Sequence, residues 1–187
     1  VFITLGTAFV FEYLETEQSI SNCHKLPSSK FSKRLLTLTE IVESFQEIVT
    51  QFPEKEFIFT VSPVRHTREG LSENMLSKSL LRVACGVLSQ AKNIDYFPSY
   101  EMMLDDLRDY RFYTEDLIHI NSQGQAYIWD VLQQTYFTED TKTVVDQVNK
   151  VIKNVNHRPF NTHTPSYKTF LEKTLIDLES LTVNLDF

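Results

Sequence analysis

Three short β-rich apolar runs separated by amphipathic helical patterns constrain this chain more than any other feature. The runs are Val1-Phe2-Ile3-Thr4-Leu5, Phe57-Ile58-Phe59-Thr60-Val61 and Ile94-Asp95-Tyr96-Phe97. Each is too short for a stable helix, and their β-branched and aromatic content is that of buried strands. Between the first two, Ile41, Val42, Phe45, Ile48, Val49 and Phe52 recur at helical spacing. Thr37 and Glu40 are placed as a capping box, and Pro53 stops the helix. Between the second and third, Ser72 stands in a capping position, with Met75, Leu76, Leu80, Val83, Ala84, Val87 and Leu88 on one predicted face. Strands alternating with helices predict an α/β domain, a parallel sheet with helices on both faces. In such sheets ligands bind beyond the carboxyl ends of the strands. Those ends are Gly6-Thr7, Ser62 to His66, and Pro98-Ser99.

The stretch after Gly6 reads as long and irregular. Ser99 is expected to cap a short helix to about Arg108, and a polar, aromatic loop runs from Asp109 to Asn121. Ser122 and Gln125 form a second capping-box pair before a helix bearing Ala126, Ile128 and Trp129. The last third changes character. Val144, Val145, Val148, Val151 and Ile152 mark one helix, and Thr164 with Pro165 opens another. The expected organisation is a domain over 1–136 and a helical extension over 137–187 packed on it. Because the chain opens directly in a core strand, further sequence is expected upstream of Val1.

At 187 residues the chain can bury a core of its own. A net charge of −7 with no basic block argues against nucleic acid as a partner. No apolar run is long enough to span a membrane. Cys23 and Cys85, neither in a C-x-x-C pair, make no disulfide framework and suit a reduced, cytoplasmic protein. The valines of the helical tail would suit a buried dimer face, so a folded interaction domain forming a homo-oligomer is one reading.

The strongest chemical signal is Asp116-Leu117-Ile118-His119 ahead of a capped helix. A carboxylate three residues before an imidazole lies on the same side of a turn. There it can hold one ring nitrogen and leave the other free as a base. The plainer alternative is a solvated loop that caps a helix. Arg65 and His66, after a strand's carboxyl end, could bind an anionic or polyhydroxylated substrate, or face water. Asn22 could donate to an oxyanion and Cys23 could act as a nucleophile with His119. Otherwise Asn22-Cys23-His24 is a loop with a buried thiol. Asp105, Asp106 and Asp109 lack the Gly and terminal Glu of a calcium loop, so no metal site is expected.

Asp116-x-x-His119 followed by Asn121 and an aromatic-bearing helix resembles the last block of SGNH/GDSL-type hydrolases. More specifically, four segments in this order resemble the GSCFA-domain proteins of bacteria: Ile3 to Ala8, Asn22 to Lys25, Thr60 to His66, and Asp95 to Glu101. The resemblance runs from Val1 to the helix ending near Leu132. It implies a three-layer, flavodoxin-like domain of SGNH type that lacks its N-terminal part here, and a serine esterase-like activity on an acyl ester, with a carbohydrate as one candidate carrier. It also implies His119 as base, Asp116 as its orienting partner, and no cofactor. The family's Gly-Ser-Cys-Phe-Ala motif, with the presumed nucleophile, is not in this sequence and would lie upstream. Ala8 stands where SGNH enzymes place an oxyanion-donating Asn. Alanine's side chain cannot donate, which leaves the Gly6 N–H or Asn22 for that role. The rival expectation is a non-catalytic carbohydrate- or partner-binding domain that keeps the fold.

Overall fold

The computed structural model describes residues 1–20 and 26–184. Asn22, Cys23 and His24 lie outside the described residues. The chain divides into two compact units, Val1–Trp129 and the residues from Asp130 onward.

The first unit contains the expected parallel sheet. Strands β1 (Phe2–Leu5), β5 (Phe57–Val61) and β6 (Ile94–Tyr96) lie in the order β1-β5-β6, all parallel. Helices α1 (Leu38–Gln51) and α2 (Leu71–Leu88) connect them. The Thr37–Glu40 capping box is formed: the Thr37 hydroxyl accepts from the Glu40 N–H, and the Glu40 carboxylate accepts from the Thr37 N–H. Phe57, Phe59 and Val61 alternate onto one face. They share a core with Ile41, Val42 and Val49 of α1 and with Leu81, Ala84, Cys85 and Leu88 of α2. Both crossover helices therefore cover the same face. A strand order that never reverses, joined by crossovers of one hand, gives that result. On the opposite face Phe2 is 50% exposed, and Ser99 of α3 (Ser99–Leu104) bonds Thr60 at 2.7 Å.

The stretch expected to be irregular holds a second sheet. Strands β2 (Phe9–Tyr13), β3 (Gln18–Ile20) and β4 (Phe31–Leu35) pair antiparallel in the order β3-β2-β4. Arg34 ties this sheet to α1 through Glu12 at 2.6 Å and through both carboxylate oxygens of Glu40. That guanidinium holds the Glu40 carboxyl down to about 2.

The buried face of α2 is also corrected. Met75, Leu76 and Val83 are about half exposed, while Asn74, Ser77, Lys78, Leu81 and Cys85 are buried. Three of those inward residues are polar because they satisfy backbone groups beyond the strand ends, as described below. Its cap is Gly70 (φ 95°), not Ser72. Similarly, Ser99 does not cap α3: its hydroxyl serves the Val61 carbonyl at 2.9 Å. Helix α4 (Ser122–Tyr136) is capped by Asn121, whose Oδ1 accepts from Gln123 and Gly124 N–H, and not by a Ser122–Gln125 box.

The second unit holds helices α5 (Glu139–Val155) and α6 (Pro165–Asn184). Thr138 caps α5 and Thr164 caps α6, the latter as expected. Val151 and Leu181 are buried, and Lys150 pairs with Asp177 at 2.9 Å. Among the described residues no helix is long and apolar enough to cross a membrane.

Candidate functional site

The turn between a short 3-10 helix at Tyr110–Phe112 and α4 is closed by a Tyr113–Ile120 bridge and by Thr114 N–H donating to the His119 carbonyl at 2.8 Å. Inside it, Asp116 uses its two oxygens differently. Oδ1 accepts from the Thr114 hydroxyl, from Ile118 N–H at 2.8 Å and from His119 N–H at 3.0 Å. Oδ2 is left for His119 Nδ1, 2.7 Å away. The Thr114 hydroxyl above all, then the His119 ring and the two N–H groups, hold the Asp116 carboxyl well below the usual carboxylate range. With Asp116 ionised it can only accept, so neutral His119 carries its proton on Nδ1 and presents a bare Nε2. The ring is exposed, at 61%.

Leu117, between the pair, has φ +57°. A leucine in the left-handed region is strained, and such strain concentrates at functional sites. Arg65 braces this turn. Its backbone N–H donates to the Ile118 carbonyl at 3.3 Å and its Nη1 to the Leu117 carbonyl at 3.1 Å. Its guanidinium lies 4.2 Å from the Tyr113 ring centroid. The dyad is thereby fastened to the segment leaving the carboxyl end of β5.

Gly6 and His66 meet at the same end of the sheet. A Cβ on Gly6 would lie 3.4 Å from His66 Nε2. The Gly6 N–H has no hydrogen-bond partner among the described residues. Asn74 Oδ1 accepts from His66 N–H at 2.8 Å, and Ser77 Oγ accepts from Ala8 N–H at 2.7 Å. Ala8, in the expected Asn position, is therefore fully buried with its N–H already used.

Sequence reasoning missed Lys78. It is 1% exposed, and its Nζ donates at 2.6 Å to both the Gly6 and Ser62 carbonyls. It thus clasps the chain where it leaves two neighbouring parallel strands. Burial pushes its pKa down to about 8. A lysine on the Asn74, Ser77, Leu81 stripe of α2 was the available signal. Cys85 is buried and its thiol is pushed up to about 11 by burial, an inert state. Among the described residues no group of His, Cys, Asp and Glu could hold a metal ion.

An α/β domain with a parallel sheet, carrying an Asp–His pair braced at the carboxyl end of its strands, is the class of protein these features define. The chain belongs to the GSCFA family, which matches residues 1–132, and residues 148–187 match the C-terminal domain of GSCFA domain proteins. No curated protein and no solved structure matches it.

Proposed function

We propose that this chain carries the base and its orienting acid for an SGNH-type serine esterase acting on an acyl ester, with a carbohydrate as one candidate carrier. The observation that carries the reading is the 2.7 Å Asp116–His119 contact that leaves Nε2 bare. A serine upstream of Val1 would attack the ester carbonyl while His119 Nε2 takes its proton. The proton then passes to the leaving alkoxide, and water repeats the sequence on the acyl-enzyme to release the acid. Asp116 stabilises the imidazolium, and the Gly6 N–H is the candidate donor to the oxyanion. Among the described residues β1 is an outermost strand of the parallel sheet, where a larger three-layer sheet would continue.

The test uses the full-length protein with an ester it cleaves and a serine-directed phosphonate. His119→Ala and Asp116→Asn are expected to lose turnover while staying folded, and the chain of residues 1–187 alone is expected to be inert. Wild-type turnover in both variants overturns the reading. A second reading, a non-catalytic carbohydrate- or partner-binding domain, draws on Ala8: neither its side chain nor its N–H can serve an oxyanion. A full-length protein that binds glycans yet resists the phosphonate would favour it.

A further inference from the structure

A cavity of about 230 Å³ opens among α2, α3 and Tyr113, sharing Arg65 and Tyr113 with the dyad turn. Leu71, Met75 and Met103 give it apolar walls, and Arg65, Asn74, Tyr100, Tyr110 and Tyr113 bring polar atoms. An apolar hollow with a few convergent polar groups is the usual form of a small-ligand site.

Of these, Arg65 and Tyr100 have hydrogen-bonding capacity to spare. Arg34, Arg82, Arg108 and Arg111 each face a carboxylate, whereas Arg65, like Arg68 and Arg158, pairs with none among the described residues. Of its side-chain N–H donors, Nη1 serves the Leu117 carbonyl, and the fork has others to offer. Tyr100 is 9% exposed, and its hydroxyl has the Met75 sulfur, 3.5 Å away, as its partner. A thioether is a weak acceptor, and a buried hydroxyl left so poorly satisfied calls for an explanation. The Lys78 ammonium, 5.9 Å from the Tyr100 ring centroid, adds positive charge beneath it. In a chain of net charge −7, this hollow is lined by an arginine and by no carboxylate.

We propose that the cavity binds a small monocarboxylate, its carboxylate on the Arg65 guanidinium and the Tyr100 hydroxyl and its apolar part against Met75, Met103 and Tyr113. The planar fork of arginine matches a carboxylate in two bonds. Since a cavity of about 150 Å³ holds benzene, this one has room for roughly nine non-hydrogen atoms. The inference does not depend on the esterase reading, because it concerns binding without turnover.

The chain has three methionines, which serve as reporters. Met75 and Met103 line the cavity, whereas Met102 is buried elsewhere and is an internal control. Protein labelled with ¹³C at the methionine methyls is titrated with phenylacetate and with its uncharged analogue phenylacetamide. Phenylacetate is expected to shift Met75 and Met103 saturably and to spare Met102, with the amide about tenfold weaker. Arg65→Gln should abolish the preference for acid over amide. Tyr100→Phe, which leaves Arg65 and the dyad turn intact, should weaken phenylacetate about fivefold or more. The proposal is overturned by no saturable shift, by equal affinity for the two ligands, by matching shifts at all three methionines, or by Tyr100→Phe titrating like the parent. No turnover is read, so failure of the esterase reading leaves this result standing.

Discussion

Arg65 Nη1 holds the carbonyl of Leu117, a residue 52 positions away that sits at φ +57° between the two members of the dyad. For leucine that conformation costs about 1–2 kcal/mol. Leu117 is 47% exposed, so its side chain returns little through packing. Leu117→Gly relieves the strain but gains unfolded-state entropy, for a net stabilisation of about 0.5 kcal/mol. Leu117→Val, β-branched in the same region, is expected to destabilise. Urea denaturation of both variants checks the order; a destabilised glycine variant would show that the turn needs the leucine itself.

Lys78 makes stability depend on pH in a defined direction. Its pKa is about 8 in the folded chain against 10.5 for the ordinary group, so above pH 8 the unfolded chain holds a proton that the folded chain has released. Stability then rises with pH, by about 1 kcal/mol between pH 8 and 9. The Cys85 thiol, raised to about 11 from 9.0, acts in the opposite sense, weakly between pH 8 and 9 and mainly above pH 9. Lys78→Met should flatten the slope between pH 8 and 9. It should also destabilise the protein, because the Gly6 and Ser62 carbonyls lose their donor. Denaturation curves at pH 8.0, 8.5 and 9.0, for parent and variant, give both answers.

Gly124 is the point where α4 presses on the dyad turn. A Cβ there would run into Ile120 Cγ2 and come within 3.2 Å of the Phe112 carbonyl. Phe112 O also accepts from Asn121 N–H, so that carbonyl cannot give way freely. Gly124→Ala is expected to cost about 1–3 kcal/mol despite alanine's better helix propensity. The His119 amide resonance should move with it. A variant as stable as the parent would mean that the turn is soft.

What the sequence disclosed follows the range of the interactions. The three parallel strands, the Thr37–Glu40 cap and the Asp116–His119 pair each depend on residues near one another, and all were legible. Strand β2 was not, because all five of its residues are half-buried and its hydrophobic pattern does not alternate. The inward face of α2 was misread because Asn74, Ser77 and Lys78 look solvated until the strand ends they serve are known. Lys78 meets Gly6 and Arg65 meets Leu117 across 72 and 52 residues, and no local pattern announces such pairs.

Asp116→Asn separates orientation from folding in the dyad. The asparagine Oδ1 can keep every bond that Asp116 Oδ1 accepts, from the Thr114 hydroxyl and from the Ile118 and His119 N–H groups. Only the atom facing His119 changes, from an accepting oxygen to an NH₂ that donates. Nδ1 must then accept, and the imidazole proton moves to Nε2, which ceases to be a base. In the parent, the carboxylate's contribution to stability is fully present above its ordinary value of 3.8 and is lost as pH falls through the lower folded value. The asparagine variant should lack that acid dependence. Long-range ¹⁵N–¹H spectra of the His119 ring near pH 8 are expected to show the Nδ1–H form in the parent and Nε2–H in the variant, with the turn's amide shifts otherwise preserved. In the full-length protein the same substitution should cost turnover by roughly a thousandfold or more, as a wrong tautomer does in a serine triad. If the variant keeps its proton on Nδ1, Asp116 does not set the tautomer, and another group must orient the base.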